Sequence, residues 1–246
     1  MILTLVQRLL VGFLPCDDAF IAYRFAHHLV HGGYLVFNPG DPVFGCTTLS
    51  YAFLLAALHG LGIPMITASW ILTLVADAVV CALLVRLGQV IAGRPWLGVV
   101  AAFLWLVHPV IGLNAVSGME TSLFTGLMLA FVLACQGGRF GLGLVLIALL
   151  VWTRIDGVAA FPVWLYAWWK AGRPVPAAPA LAITVGLAAL YAAFTLSHYG
   201  TLVPQSAVAK AASHGASPIG VMLMAASYVG AVAGVLSVWY LSLIHI

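Results

Sequence analysis

The sequence predicts an all-α protein, a polytopic bundle of transmembrane helices, and three observations carry that reading. Hydrophobic residues supply 64% of the chain and charged ones only 6%, too few to clothe a water-soluble surface. Apolar stretches of helical length recur along the whole chain instead of gathering into one core, and the mean hydropathy is +1.16. The third observation is the placement of charge: of 6 acidic residues, three fall within PCDDAFIAYRFAHHLVHGGYLVFNPGD at 15–41. One domain over 1–246 is expected, with 15–62 as a first outer loop carrying juxtamembrane helices. The formal charge of +3 is small and its basic residues are scattered, so no nucleic-acid partner is expected. Cys16, Cys46, Cys81 and Cys135 lie far apart, with no CxxC spacing, and read as packing thiols.

The first fourteen residues, MILTLVQRLLVGFL, are apolar but short for a span and are interrupted by Arg8. No small-x-small cleavage site follows, so they read as an uncleaved first helix, itself open to truncation. After Pro15, Asp17 or Asp18 suits the N-cap of a helix over 18–31, although two aspartates exceed what capping needs. On that helix Arg24, His27, His28 and His31 fall at i, i+3, i+4 and i+7, a polar stripe opposite Phe20, Ile21, Phe25 and Leu29. Asp17 precedes Arg24 by nearly two turns and shares its azimuth. This pattern is that of an amphipathic helix lying on the membrane. His27 and His31 have the spacing of zinc ligands, but the glutamate of HExxH is missing and no third ligand is evident, so no metal is assigned. NPGD then forms a turn, with Pro39 and Gly40 suited to the central positions of type II.

Residues 47–62 are apolar but only about fifteen long, and can be a span or an interfacial helix. Further candidate helices run over 66–86, 96–113, 121–136, 140–153, 157–169, 177–197 and 218–241. If 47–62 lies along the surface, Arg86, Arg94, Arg139, Lys170 and Arg173 fall on one side, which the positive-inside rule makes the cytoplasm. The outer side then receives Asp17, Asp18, Arg24, Asp41, Glu120, Arg154, Asp156 and Lys210, every acid except Asp77. Asp77, inside the span 66–86, reads as a carboxyl bonded to a neighbouring helix or kept protonated by burial. The helices 140–153 and 157–169 are too short to cross a core of about 30 Å. Their junction TRIDG is therefore expected below the outer surface, unless one long helix buries Arg154 and Asp156; Gly157 and Pro162 favour the break.

Taken in order, these pieces resemble a family. DDAFIAYRFAHHLVHGGYLVFNPGDPVFGCTTLSY resembles the first outer loop of membrane-embedded GT-C glycosyltransferases, especially the bacterial branch similar to arabinofuranosyltransferases of the cell wall. SGMET at 117–121 resembles that branch's GLET motif, TRIDG at 153–157 its RPDG motif, and HYGTLVPQSAVAK at 198–210 its YYG-LLPN-YAK motif. Ile155 stands where the family has proline, Gln205 where it has asparagine, and Ala207 where an aromatic is expected. Family members are longer, and the ending LSLIHI resembles a broken reading frame, so the chain reads as an N-terminal fragment.

The resemblance implies a lipid-phosphate-sugar-dependent enzyme of the bacterial inner membrane, multi-pass, with its active site facing the periplasm or exterior. A polyprenyl-phosphate sugar would be the donor and a cell-envelope glycan or lipid the acceptor, with the need for a divalent cation left open. No glycine-rich loop for a nucleotide sugar is present, consistent with a membrane-delivered donor. Transfer to a hydroxyl needs a base and cations for the departing phosphate. Asp17 or Asp18 can be the catalytic base of an inverting single displacement, and Arg24, Arg154 and Lys210 the phosphate contacts. Glu120 and Asp156 would bind sugar hydroxyls or hold Arg154, with helix capping the plain alternative for Glu120. The motif residues Asn38, Tyr199 and Gln205 join the substrate-binding set. A transporter or flippase-like protein for an anionic lipid is the alternative from another class; broken helices suit it, the paired aspartates do not.

Overall fold

The structure is a computed structural model that describes residues 15–206 together with Gly12. The expected helix in the first fourteen residues, the span 218–241, Ala207 and Lys210 lie outside the described residues. Among the described residues the chain is all helix and loop, with one isolated bridge between Asn38 and Asp41.

Two short helices precede the long ones. α1 (Asp17–Gly32) and α2 (Leu49–Gly60) are joined by an irregular segment, and α1 ends at Gly33, whose φ of 72° satisfies the left-handed C-cap. At Gly40 φ is 85° and the Asp41 N–H reaches the Asn38 carbonyl at 3.2 Å, the type II geometry expected of NPGD. α2 has 12 residues. At 1.5 Å per residue it is about 18 Å long, too short to cross a bilayer core.

The bundle proper consists of α3 (Met65–Ala92), α4 (Pro95–Val107), α5 (Pro109–Val116), α6 (Thr121–Gln136), α7 (Phe140–Thr153), a 3₁₀ turn (Ile155–Ala159), α8 (Ala160–Lys170) and α9 (Ala178–Tyr199). α3 and α9 are long and apolar enough to cross a membrane, and α4 with α5 makes a third crossing if the bent pair is one span. Among the described residues little covers α9, and Ile183, Val185 and Leu190 stand exposed on it. Such apolar helices are compatible with insertion in a membrane.

Several expectations change. The stretch 96–113 is not one helix: it bends by 62° at His108, because Pro109 supplies no N–H to continue the ladder and opens a new helix at its first position. Of the residues expected on the apolar face of α1, Phe25 is buried and Ile21 and Leu29 are partly buried, but Phe20 is half exposed, and Ala19, Ala22, Tyr23 and Ala26 complete the buried face. α3 also runs on to Ala92, past the end expected at 86, and residues 157–159 of the expected helix 157–169 belong to the 3₁₀ turn. α6 and α7 match the expected limits, and the break after Thr153 excludes a continuous helix through Arg154 and Asp156. Asp77 is buried on α3 and accepts a hydrogen bond from Trp105 Nε1 of α4 at 3.3 Å, the neighbouring-helix partner expected for it.

Among the described residues three apolar cores hold the chain. α1, α2 and the start of α3 share Ala19, Tyr23, Ala26, Tyr51, Leu55 and Ala68. Farther along, α6, α7 and α8 pack through Phe131, Leu150, Ala160 and Trp164. The third core stacks the loop after α1 on α9 through Leu35, Phe44 and Tyr199. The α1–α2 layer thus caps one end of the bundle.

Candidate functional site at the capped end

The helix directions sort the charges. Met119 and Leu123 pack against the core that holds Ala68 at the start of α3, and a Cβ at Gly126 would touch Val79 and Val80 farther along it, so α3 and α6 run parallel. Their C-terminal turns, with Arg94 and Arg139, share one end, and Gly141 against Pro176, Ala177 and Ala180 brings the segment holding Arg173 to it. Asp17, Asp18, Asp41, Glu120, Arg154 and Asp156 belong to the other, capped end. A shallow cleft lined by Arg139, Phe140, Pro174 and Ala180 opens at the basic end. It lacks a carboxylate and is not the candidate site.

Arg154 is the centre of the capped end. As the C-cap of α7 its backbone is extended, with φ −155° and ψ 135°, which turns the side chain off the helix axis. Nη1 donates to Glu120 Oε1 at 2.8 Å and Nε to Asp156 Oδ1 at 3.1 Å, so two of the motif segments are joined by one guanidinium. Glu120 is 2% exposed whereas Arg154 and Asp156 retain 38% and 51%. Burial pushes the Glu120 carboxyl above the usual carboxylate range, and the backbone and Arg154 pull it only part of the way back. Burial acts to lower the Arg154 guanidinium, but the Asp156 and Glu120 contacts outweigh it and hold it raised. Of the two roles expected of Glu120 and Asp156, holding Arg154 is the one their contacts make.

The aspartates sit close by in the fold. The Cys16 N–H donates to the Ser117 carbonyl at 3.0 Å, which fixes the start of α1 against the SGMET turn. Gly118 has φ 78° with Tyr23 Oη and the Ala19 Cβ lying where a side chain would project, so only glycine fits the turn. Neither aspartate is the N-cap, contrary to expectation. Cys16 holds that position without a side-chain bond, and Asp17 and Asp18 are exposed in the first turn, favoured there by the helix dipole.

The other expected residues hold the loop. Arg24 Nε donates to the Phe37 carbonyl at 2.7 Å and Nη2 to Asn38 Oδ1 at 2.9 Å, with the guanidinium 4.5 Å from the Phe37 ring centre. Tyr199 Oη donates to the Leu35 carbonyl at 2.6 Å while its ring stacks on Phe44 at 4.6 Å. The Gln205 N–H donates to the Phe44 carbonyl at 2.8 Å and Ser206 Oγ to the Gly45 carbonyl at 3.1 Å. Thus the HYGTLVPQS segment docks on the loop after α1, although they are distant in sequence. Lys210 lies outside the described residues.

Sequence reasoning missed two hydroxyl clusters. Tyr23 Oη donates to Ser69 Oγ at 2.8 Å, Tyr51 Oη donates to the Gly118 carbonyl at 2.9 Å and lies 3.0 Å from Ser69 Oγ, and Ser50 meets Thr153 at 2.8 Å. No periodicity marks them, because each joins helices whose contact is set by the whole bundle. Compared with family models, with curated proteins and with solved structures, the chain has no match.

Proposed function

We propose that the chain is an integral membrane glycosyltransferase that moves a sugar from a polyprenyl-phosphate donor to a cell-envelope glycan or lipid acceptor at the outer face of the membrane. One observation carries the reading: a partly exposed guanidinium, fixed between Glu120 and Asp156, stands at the same end of the bundle as two exposed aspartates tied to the neighbouring turn. That pairing is what an inverting displacement uses. The acceptor oxygen attacks the anomeric carbon, its proton passes to the carboxylate of Asp17 or Asp18, and the bond to phosphate breaks with its electrons leaving on the phosphate. Arg154, with one flank open to solvent, stabilises that developing charge, and Arg24 offers a second cation over Phe37. The GT-C resemblance supports the same assignment of ends, acids outward and Arg94, Arg139 and Arg173 toward the cytoplasm.

The test is glycosyl transfer from a radiolabelled polyprenyl-phosphate sugar by the protein in proteoliposomes. Asparagine at the base keeps size and removes basicity, so Asp17→Asn or Asp18→Asn lowers turnover on the order of 10² to 10⁴-fold. Asp17, on the azimuth of Arg24, is the expected base. Wild-type turnover in both variants excludes the catalytic aspartates, and lipid translocation without product assigns the charges to a transporter instead.

A further inference from the structure

We propose that His27, His31 and His59 form a binding site for a divalent late first-row transition metal, zinc being the ion whose usual geometry they suit. The inference does not rest on the glycosyltransferase reading. His27 and His31 lie one turn apart on α1 and project from the same stripe as Arg24. The third imidazole comes from the last turn of α2. One nitrogen from each ring can be chosen so that all three lie within 4.8 Å of one another. In a tetrahedral site with bonds of 2.0–2.1 Å, ligand nitrogens stand about 3.3 Å apart. Rotation of the exposed His27 and His31 side chains is the means of closing that difference.

Two of the three rings have a backbone partner that orients them as ligands. His31 Nδ1 lies 3.0 Å from the His27 carbonyl and His59 Nδ1 2.9 Å from the Ile63 carbonyl. A carbonyl can only accept, so each Nδ1 carries the proton and each Nε2 presents a lone pair. Backbone carbonyls hold metal-bound histidines in this way. Among the described residues, His59 Nε2 is moreover buried with no hydrogen-bond partner, a state that costs energy unless something occupies the lone pair. The rings are gathered, His27 at 4.1 Å from His31 and 5.7 Å from His59, and His31 at 5.4 Å from His59.

Three neutral nitrogens and no carboxylate in the cluster select against calcium and magnesium, which take oxygen. A bound ion keeps its double positive charge and a fourth position for water or an anionic oxygen. It also ties α1 to α2.

The test uses the whole chain, purified without a histidine tag, stripped of metal and titrated with Co²⁺ at pH 7.5. The expected result is one equivalent bound, with the visible absorption of a tetrahedral ion, displaced by one equivalent of Zn²⁺. His27→Ala and His59→Ala should each weaken zinc binding on the order of 10²-fold, and zinc should raise the Tm of the wild type but not of His27→Ala. His28→Ala should leave binding unchanged, because His28 Nδ1 is engaged by the Val36 carbonyl at 2.9 Å outside the cluster. His27 is exposed, so its variant decides the matter even if His59→Ala fails to fold. Absence of binding up to about 100 μM metal, or equal binding by the wild type and His27→Ala, overturns the proposal.

Discussion

At the scale of single residues, the question is what Glu120 does for Arg154. Removing one partner of a buried ion pair is costlier than the pair is worth, since the remaining charge loses its compensation. Arg154 softens that loss with its 38% exposure and its second contact to Asp156. Glu120→Ala is therefore expected to destabilise by about 1–3 kcal/mol, and Asp156→Asn, on the exposed flank, by about 0–1 kcal/mol, read from thermal unfolding in detergent. The pH dependence has a definite sign. A carboxyl raised on folding binds more protons in the folded state, so its contribution is fully present below the unfolded value and is lost as pH rises through the folded one. Unfolding of the wild type should lose stability relative to Glu120→Gln as pH rises from acid toward neutral; a constant difference means that Glu120 is not raised. Glu120, Arg154 and Asp156 were all legible as site candidates because charge is so scarce in this chain. Their mutual pairing was less so, since a motif fixes residue types and not which carboxylate a guanidinium chooses. His59 was missed because its partners lie on another helix.

At the scale of helices, α3 and α4 form the closest contact in the bundle. A Cβ on Gly98 would overlap the backbone of Leu84 and Val85, and one on Gly88 the backbone of Gly98, so the two helices touch main chain to main chain. Small residues permit this approach, and packing in the bilayer depends on it. Gly98→Ala must push backbone against backbone and should destabilise by about 1–3 kcal/mol. Gly186→Ala on α9, where nothing lies within 4 Å of an added Cβ, is the control and should stay within about 1 kcal/mol of wild type. Equal thermal stability of the two variants would show that the glycine crossing carries no load. Helix existence was legible throughout, because apolar runs and Gly/Pro breaks are local signals. The bend at His108 and the exposed Phe20 were not. Whether a proline kinks or ends a helix, and which flank of α1 meets α2, is decided by neighbours distant in sequence.

At the scale of the whole molecule, the sorting of charge sets the expected orientation. Five carboxylates, those of Asp17, Asp18, Asp41, Glu120 and Asp156, gather with Arg24 and Arg154 at the capped end, while Arg94, Arg139 and Arg173 hold the other. The first set is internally paired or polar; the second is basic without an acid, the distribution that membrane insertion retains in the cytoplasm. The sequence argument needed 47–62 to lie on the surface, and α2, at 12 residues, is too short to do otherwise as a straight crossing. Orientation follows as a prediction. Asp41 and Arg139 are exposed at opposite ends, so each can report its side when replaced by cysteine in a background without native cysteines. In intact cells Asp41→Cys should react with an impermeant maleimide, and Arg139→Cys should react only after the membrane is opened. The reverse pattern would put Arg154 and the two aspartates on the cytoplasmic side. A donor delivered on the outer leaflet could not then reach them, and the glycosyltransferase proposal would fall together with the orientation, whereas the histidine cluster would still bind its metal.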